Sequence, residues 1–103
     1  MSLIIDVRGD APVFITLGGE LDAFSSRRLR HRLDEVIEAG RSDVVIDLAA
    51  LDFIDSTALG VLIGARRQAR LHGGDVRLQG VTPVARRVFD VTGLSQVFNV
   101  DYR

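Results

Sequence analysis

The chain has 103 residues, 47% of them hydrophobic and 26% charged, with a formal net charge of −1 and no cysteine. That length makes one domain, residues 1–103, with a core large enough to fold without staples. Near-neutral charge argues against nucleic acid as the main partner, and the lack of cysteine excludes disulfides, thiolate metal sites and a thiol nucleophile. No apolar run approaches the ~18 residues of a membrane span. Residues 1–6 turn acidic too early for a signal peptide, so the expected compartment is cytoplasmic, with no membrane partner. All 13 basic residues are arginine, and no function follows from that.

Residues 3–8 and 12–17 read as two strands around a Gly9-Asp10 turn, a hairpin that Gly18-Gly19 ends. Glu20-Leu21-Asp22-Ala23 is then a loop. Ser25 is the expected N-cap of a first helix, and Phe24 and Leu29 have the spacing of a hydrophobic staple. Leu29, Leu33, Val36 and Ile37 recur at i, i+4, i+7, i+8, one buried face. Gly40 fits the left-handed position that ends such a helix.

Residues 43–48 form a third strand. Its continuous Val44-Val45-Ile46 run predicts a strand covered on both faces. A second helix runs over 56–72, stopped by Gly73-Gly74, and residues 75–79 make a fourth strand. Thr82 caps a third helix with Pro83 at its first position, where the missing N–H costs nothing. Gly93 ends it, and residues 97–100 are a short fifth strand. Strands alternating with helices predict an α/β fold: a mostly parallel sheet with an N-terminal β-hairpin and helices packed on it. Ligands and partners of such sheets meet the carboxyl ends of the strands, where Asp22 and the 52–56 turn lie.

The most informative stretch is 44–60. An apolar run ends in an acidic turn, and Ser56-Thr57 then opens a helix. Ser56 is expected at an accessible strand-to-helix turn beside Asp55. It lacks the flanking glycines of a nucleophile elbow. His31 lies off the apolar face of its helix, and His72 sits in the last turn of another, so neither is placed to serve it. Position alone leaves Ser56 as either a modification site or only an N-cap or first-turn residue. Asp22, Asp52 and Asp55 are either solvated turn acids or a pocket like that of a response-regulator receiver. A receiver needs an early acidic pair and a late lysine, and both are missing. The glycine pairs fit no phosphate-loop spacing.

Gly19-Glu20-Leu21-Asp22, the apolar strand 45–51, Asp55-Ser56-Thr57-Ala58-Leu59-Gly60 and the helix from Pro83 to Gly93 occur in the order seen in STAS domains. The chain resembles the bacterial anti-sigma factor antagonists across nearly its whole length. The resemblance implies a binding module, not an enzyme, with no cofactor and no metal. It implies that Ser56 is phosphorylated by an anti-sigma factor with serine kinase activity and restored by a serine phosphatase. Thr57 is the alternative acceptor. A second reading is a STAS subunit of a signalling scaffold or membrane transporter without a sigma-factor role. Two departures stand out. Ala58 replaces a usual glycine, and the chain stops too soon for the family's usual last helix. Val97, Phe98, Val100 and Tyr102 are then expected to be less covered, giving a monomer or weak homodimer.

On the second helix, Ala58, Val61, Leu62, Ala65 and Ala69 share the expected core face. Leu59 and Ile63 fall on a flank with Arg66, Arg67 and Arg70 near them. That flank is either a docking surface rimmed by arginines or a pair of residues buried by a neighbouring loop. The expected partner-binding set is therefore Asp22, Asp55, Ser56, Thr57, Leu59, Ile63 and Arg67.

Overall fold

The computed structural model describes residues 2–93 and 99–102. The hairpin is β1 (Leu3–Arg8) and β2 (Val13–Leu21), followed by α1 (Ser25–Glu38), β3 (Asp43–Ile54), α2 (Ser56–Leu71), β4 (Asp75–Val81), α3 (Pro83–Thr92) and β5 (Asn99–Tyr102). The five strands lie side by side in chain order. Only β1–β2 is antiparallel; β2–β3, β3–β4 and β4–β5 are parallel. Val97 and Phe98 lie outside the described residues, as do the side chains of Val100 and Tyr102.

One apolar cluster holds the fold together. Val13, Ile15 and Leu17 of β2, Val44, Ile46 and Leu48 of β3, and Val76 and Leu78 of β4 contribute to it from the sheet. Leu29, Leu33 and Ile37 of α1, Leu59 and Leu62 of α2, and Ala85 and Phe89 of α3 meet them. All three helices therefore cover the same face, as successive right-handed crossovers in one direction require. Phe89 is fully buried, worth about 2–3 kcal/mol relative to exposure.

The both-faces reading of Val44-Val45-Ile46 is corrected. Val44 and Ile46 point at the helices, while Val45 lies on the helix-free face between its register partners Phe14 and Arg77. Neighbouring side chains, not a helix, bury it. The run is continuous because burial has two different causes on the two faces.

Both long strands extend further than expected. Gly18-Gly19 does not end β2, which continues to Leu21. Gly19 has φ 88°, and a side chain there would strike the Ser2 carbonyl. It therefore serves a bulge where the edge strand crosses closely. The same bulge leaves Asp52 unpaired in β3, since Gly19 pairs with Leu51 and Glu20 with Phe53, and a second irregularity lies between Thr16 and Gly18. These kinks carry both strands to a common end at Leu21 and Ile54.

Helix stops follow expectation. Gly40 (φ 91°) ends α1, with its N–H on the Ile37 carbonyl and that of Arg41 on the Val36 carbonyl. These two bonds are a Schellman pair. Thr82 caps α3 through the Ala85 N–H at 3.3 Å, with Pro83 following, and Gly93 ends it left-handed.

Candidate functional site

The site is built where β2 and β3 end together. Leu21 pairs with Ile54 in parallel register, and the Asp55 N–H donates to the Leu21 carbonyl at 3.2 Å. Asp22 and Asp55, one residue beyond each strand, therefore stand on neighbouring strand ends. Each then opens a helix.

Asp22 does this through a reciprocal cap. Its Oδ1 accepts the N–H groups of Phe24 (3.0 Å) and Ser25 (2.9 Å). The Ser25 hydroxyl accepts the Asp22 N–H at 2.9 Å and donates to the Glu20 carbonyl at 2.8 Å, with Asp22 Oδ1 also in reach at 3.1 Å. The Ser26 N–H already bonds the Asp22 carbonyl at 2.9 Å, so the first helical turn starts at Asp22. The expected Ser25 cap is corrected: Ser25 is the N3 residue, the fourth, of a capping box whose first is Asp22. The staple is also absent, because Phe24 is 87% exposed while Leu29 is fully buried. The Asp22 carboxyl is held below its ordinary value of 3.8. The main cause is the Ser25 N–H, opposed by partial desolvation and helped by the Ser25 hydroxyl and the Phe24 N–H. Each of these donors favours the charged form.

Asp55 is the N-cap of α2. Its extended backbone (φ −113°, ψ 174°) turns the side chain to accept the Ala58 N–H at 3.1 Å. Ser56 is consequently the first helical residue rather than the cap. It is exposed, and among the described residues its hydroxyl has no hydrogen-bond partner. This hydroxyl stands at the positive end of a 16-residue helix, where a phosphate is electrostatically welcome.

The remaining residues of the expected set divide. Thr57 and Arg67 are exposed. Leu59 is 3% exposed and belongs to the core, so its place on a partner surface is corrected. Helix rotation decides this: α2 buries Ala58, Leu59, Leu62, Ala65 and Ala69, whereas Val61 is only half-buried. Ile63 is also half-buried, packed against the core rather than presented outward. Asp52 is exposed at the β3 bulge. His72 caps the far end of α2, sixteen residues from Ser56 and hence about 24 Å away along the helix.

Three features were missed by sequence reasoning. The Asp22-to-Ser25 spacing was a capping-box signal. Ser26, one turn before Leu29 on the buried face, is itself buried and donates to the Ala23 carbonyl. Phe53, exposed beside the β3 bulge, had no signal in the periodicity.

The model of the STAS domain matches residues 2–103. The chain belongs to the STAS domain family. Among its curated relatives this STAS domain is 31% identical to the anti-sigma-B factor antagonist of Bacillus subtilis strain 168, over 97% of this chain and 92% of that protein. It thus falls among the bacterial anti-sigma factor antagonists. Its fold is similar to that of an anti-sigma factor antagonist from Mycobacterium paratuberculosis, with a TM-score of 0.87 at 25% identity, covering 97% of this chain and 86% of that one. The fold also matches the Bacillus cell fate determinant SpoIIAA in its phosphorylated form, at a TM-score of 0.77 and 24% identity, covering 99% and 91% of the two chains. No helix among the described residues is long and apolar enough to cross a membrane.

Proposed function

We propose that this STAS domain is an anti-sigma factor antagonist controlled by phosphorylation of Ser56. Unmodified, it binds a cytoplasmic anti-sigma factor with serine kinase activity and so frees a sigma factor. The kinase then phosphorylates Ser56 and ends the binding, and a serine phosphatase restores it. The protein acts by binding rather than by catalysis.

The observation that carries this reading is the exposed Ser56 hydroxyl, set at the start of α2 directly after the capping Asp55. Asp22 supports it from the next strand end. The B. subtilis relative is named for antagonism of an anti-sigma factor, and SpoIIAA exists in a phosphorylated form.

The switch follows from charge. A phosphate adds about −1.5 to −2 charges. It faces the unpaired N–H groups of the first turn, so the fold tolerates it. The same charge repels Asp55 and enters a surface that must be desolvated on binding. Repulsion between unit charges ~5 Å apart is on the order of 1–3 kcal/mol at intermediate dielectric. Incubation with the kinase and ATP, followed by mass spectrometry, tests the assignment. Wild type should carry phosphate on Ser56 and Ser56→Ala should carry none. Undiminished phosphate on that variant would sink it.

A further inference from the structure

A trough runs between α1 and α2, with a volume of about 670 Å³. Both helices follow parallel strands, so they run in the same direction. The trough's lining extends from Ala23 to Glu38 on one side and from Thr57 to Gln68 on the other. At 1.5 Å per residue it is roughly 20 Å long. Its upper end begins at Thr57, the neighbour of Ser56.

Its charge is divided. Arg27 and Arg30 line the upper half, and Arg67 stands on the opposite wall. Asp34 and Glu38 lie toward the lower end. Arg27, Arg30 and Arg67 are exposed, and among the described residues none takes part in an ion pair or hydrogen bond. Other arginines of α2 are engaged, Arg66 and Arg70 with Asp75. The trough therefore has a positive upper end at Arg27 and Arg30 beside Ser56, while Arg67 stands near the lower end, level with Asp34.

The α2 wall of the trough has an open backbone. Gly60 and Gly64 line it inside a helix, and a side chain at either would meet nothing within 4 Å. Glycine weakens a helix interior relative to alanine, and no contact among the described residues needs its absence of Cβ.

We infer that the trough seats a helix of the anti-sigma factor kinase, with acidic side chains of that helix against Arg27, Arg30 and Arg67. The inference rests on the proposed function and adds the partner's chemistry to it. A helix matches a long open trough better than a compact ligand does, and it reaches the bare backbone at Gly60 and Gly64. The arrangement also deepens the switch. Acidic groups drawn to Arg27 and Arg30 lie close to Ser56, so a phosphate there repels them directly.

The test is calorimetric titration of the full chain with the unphosphorylated-form partner kinase, at low and moderate salt. Arg27→Glu with Arg30→Glu should weaken binding at least about tenfold and flatten its salt dependence. Gly60→Ala with Gly64→Ala should raise the melting temperature yet weaken binding about tenfold, a combination that a purely structural role cannot produce. Both pairs binding within about twofold of wild type, while Ser56→Asp loses binding, would overturn the trough and leave the proposed function standing. Failure of the wild type to bind the kinase would overturn both. Loss of self-association in sedimentation, with kinase binding intact, would make the occupant a second copy and also overturn the inference.

Discussion

Asp55 is both a helix cap and a charge beside Ser56, the proposed phosphorylation site, and two substitutions separate these roles. Asp55→Ala removes the acceptor of the Ala58 N–H, a bond of 3.1 Å at a half-buried position. Losing such a cap costs about 1 kcal/mol, within a range of roughly 0.5–2. For a domain of this size, that lowers the melting temperature by about 4–8 °C per kcal/mol. Asp55→Ser keeps an oxygen at the same place and loses only the charge near the positive helix end, about 0.3–1 kcal/mol. The backbone bond from residue 55 to the Leu21 carbonyl survives in both. Thermal melts by circular dichroism should therefore rank wild type above Asp55→Ser above Asp55→Ala. The serine variant, nearly intact in fold, then reports on recognition. Its rate of phosphorylation or its affinity for the kinase should fall severalfold. An alanine variant that melts within 1 °C of wild type, or a serine variant that melts as low as alanine, would refute the capping argument.

Phosphorylated protein should melt at or slightly above the unmodified protein, because the phosphate faces the first turn of α2, yet bind the kinase about 10²-fold more weakly; Ser56→Asp should show part of that loss in calorimetry. Asp22 makes stability depend on acid pH. Its folded carboxyl is held below 3.8, so its contribution is complete above that value and is lost as pH falls through the lower folded value. Asp22→Asn should flatten the acid limb of a pH series of urea melts, and an unchanged limb would contradict this. Leu59→Ala should cost about 2–5 kcal/mol, as truncation in a packed core does. It should therefore lower the urea midpoint sharply, whereas a surface role would leave the midpoint in place.

Element order, the helix-ending glycines and the Thr82-Pro83 start were legible because they depend on local backbone chemistry. Gly40 and Gly93 adopt positive φ where a helix must end, and Pro83 sits where no N–H is needed. The buried face of α1 was equally readable, since one amphipathic stripe against one sheet has a single solution. Ser56 at the mouth of α2 followed from the acidic turn before it. Other features depended on what stood nearby. Gly18-Gly19 has the composition of a turn, but Ser2 passing close to Gly19 makes it a bulge within a continuing strand. Val45 is buried by strand neighbours across the sheet, not by a second layer of helices. Leu59 and Val61 exchanged roles because a few tens of degrees of rotation about the α2 axis, set by packing on β3 and β4, decide which flank meets the core. The pairing of Asp22 with Asp55 was likewise invisible along the chain. It arises because Leu21 and Ile54, 33 residues apart, end in the same parallel register, and register is a property of two strands together.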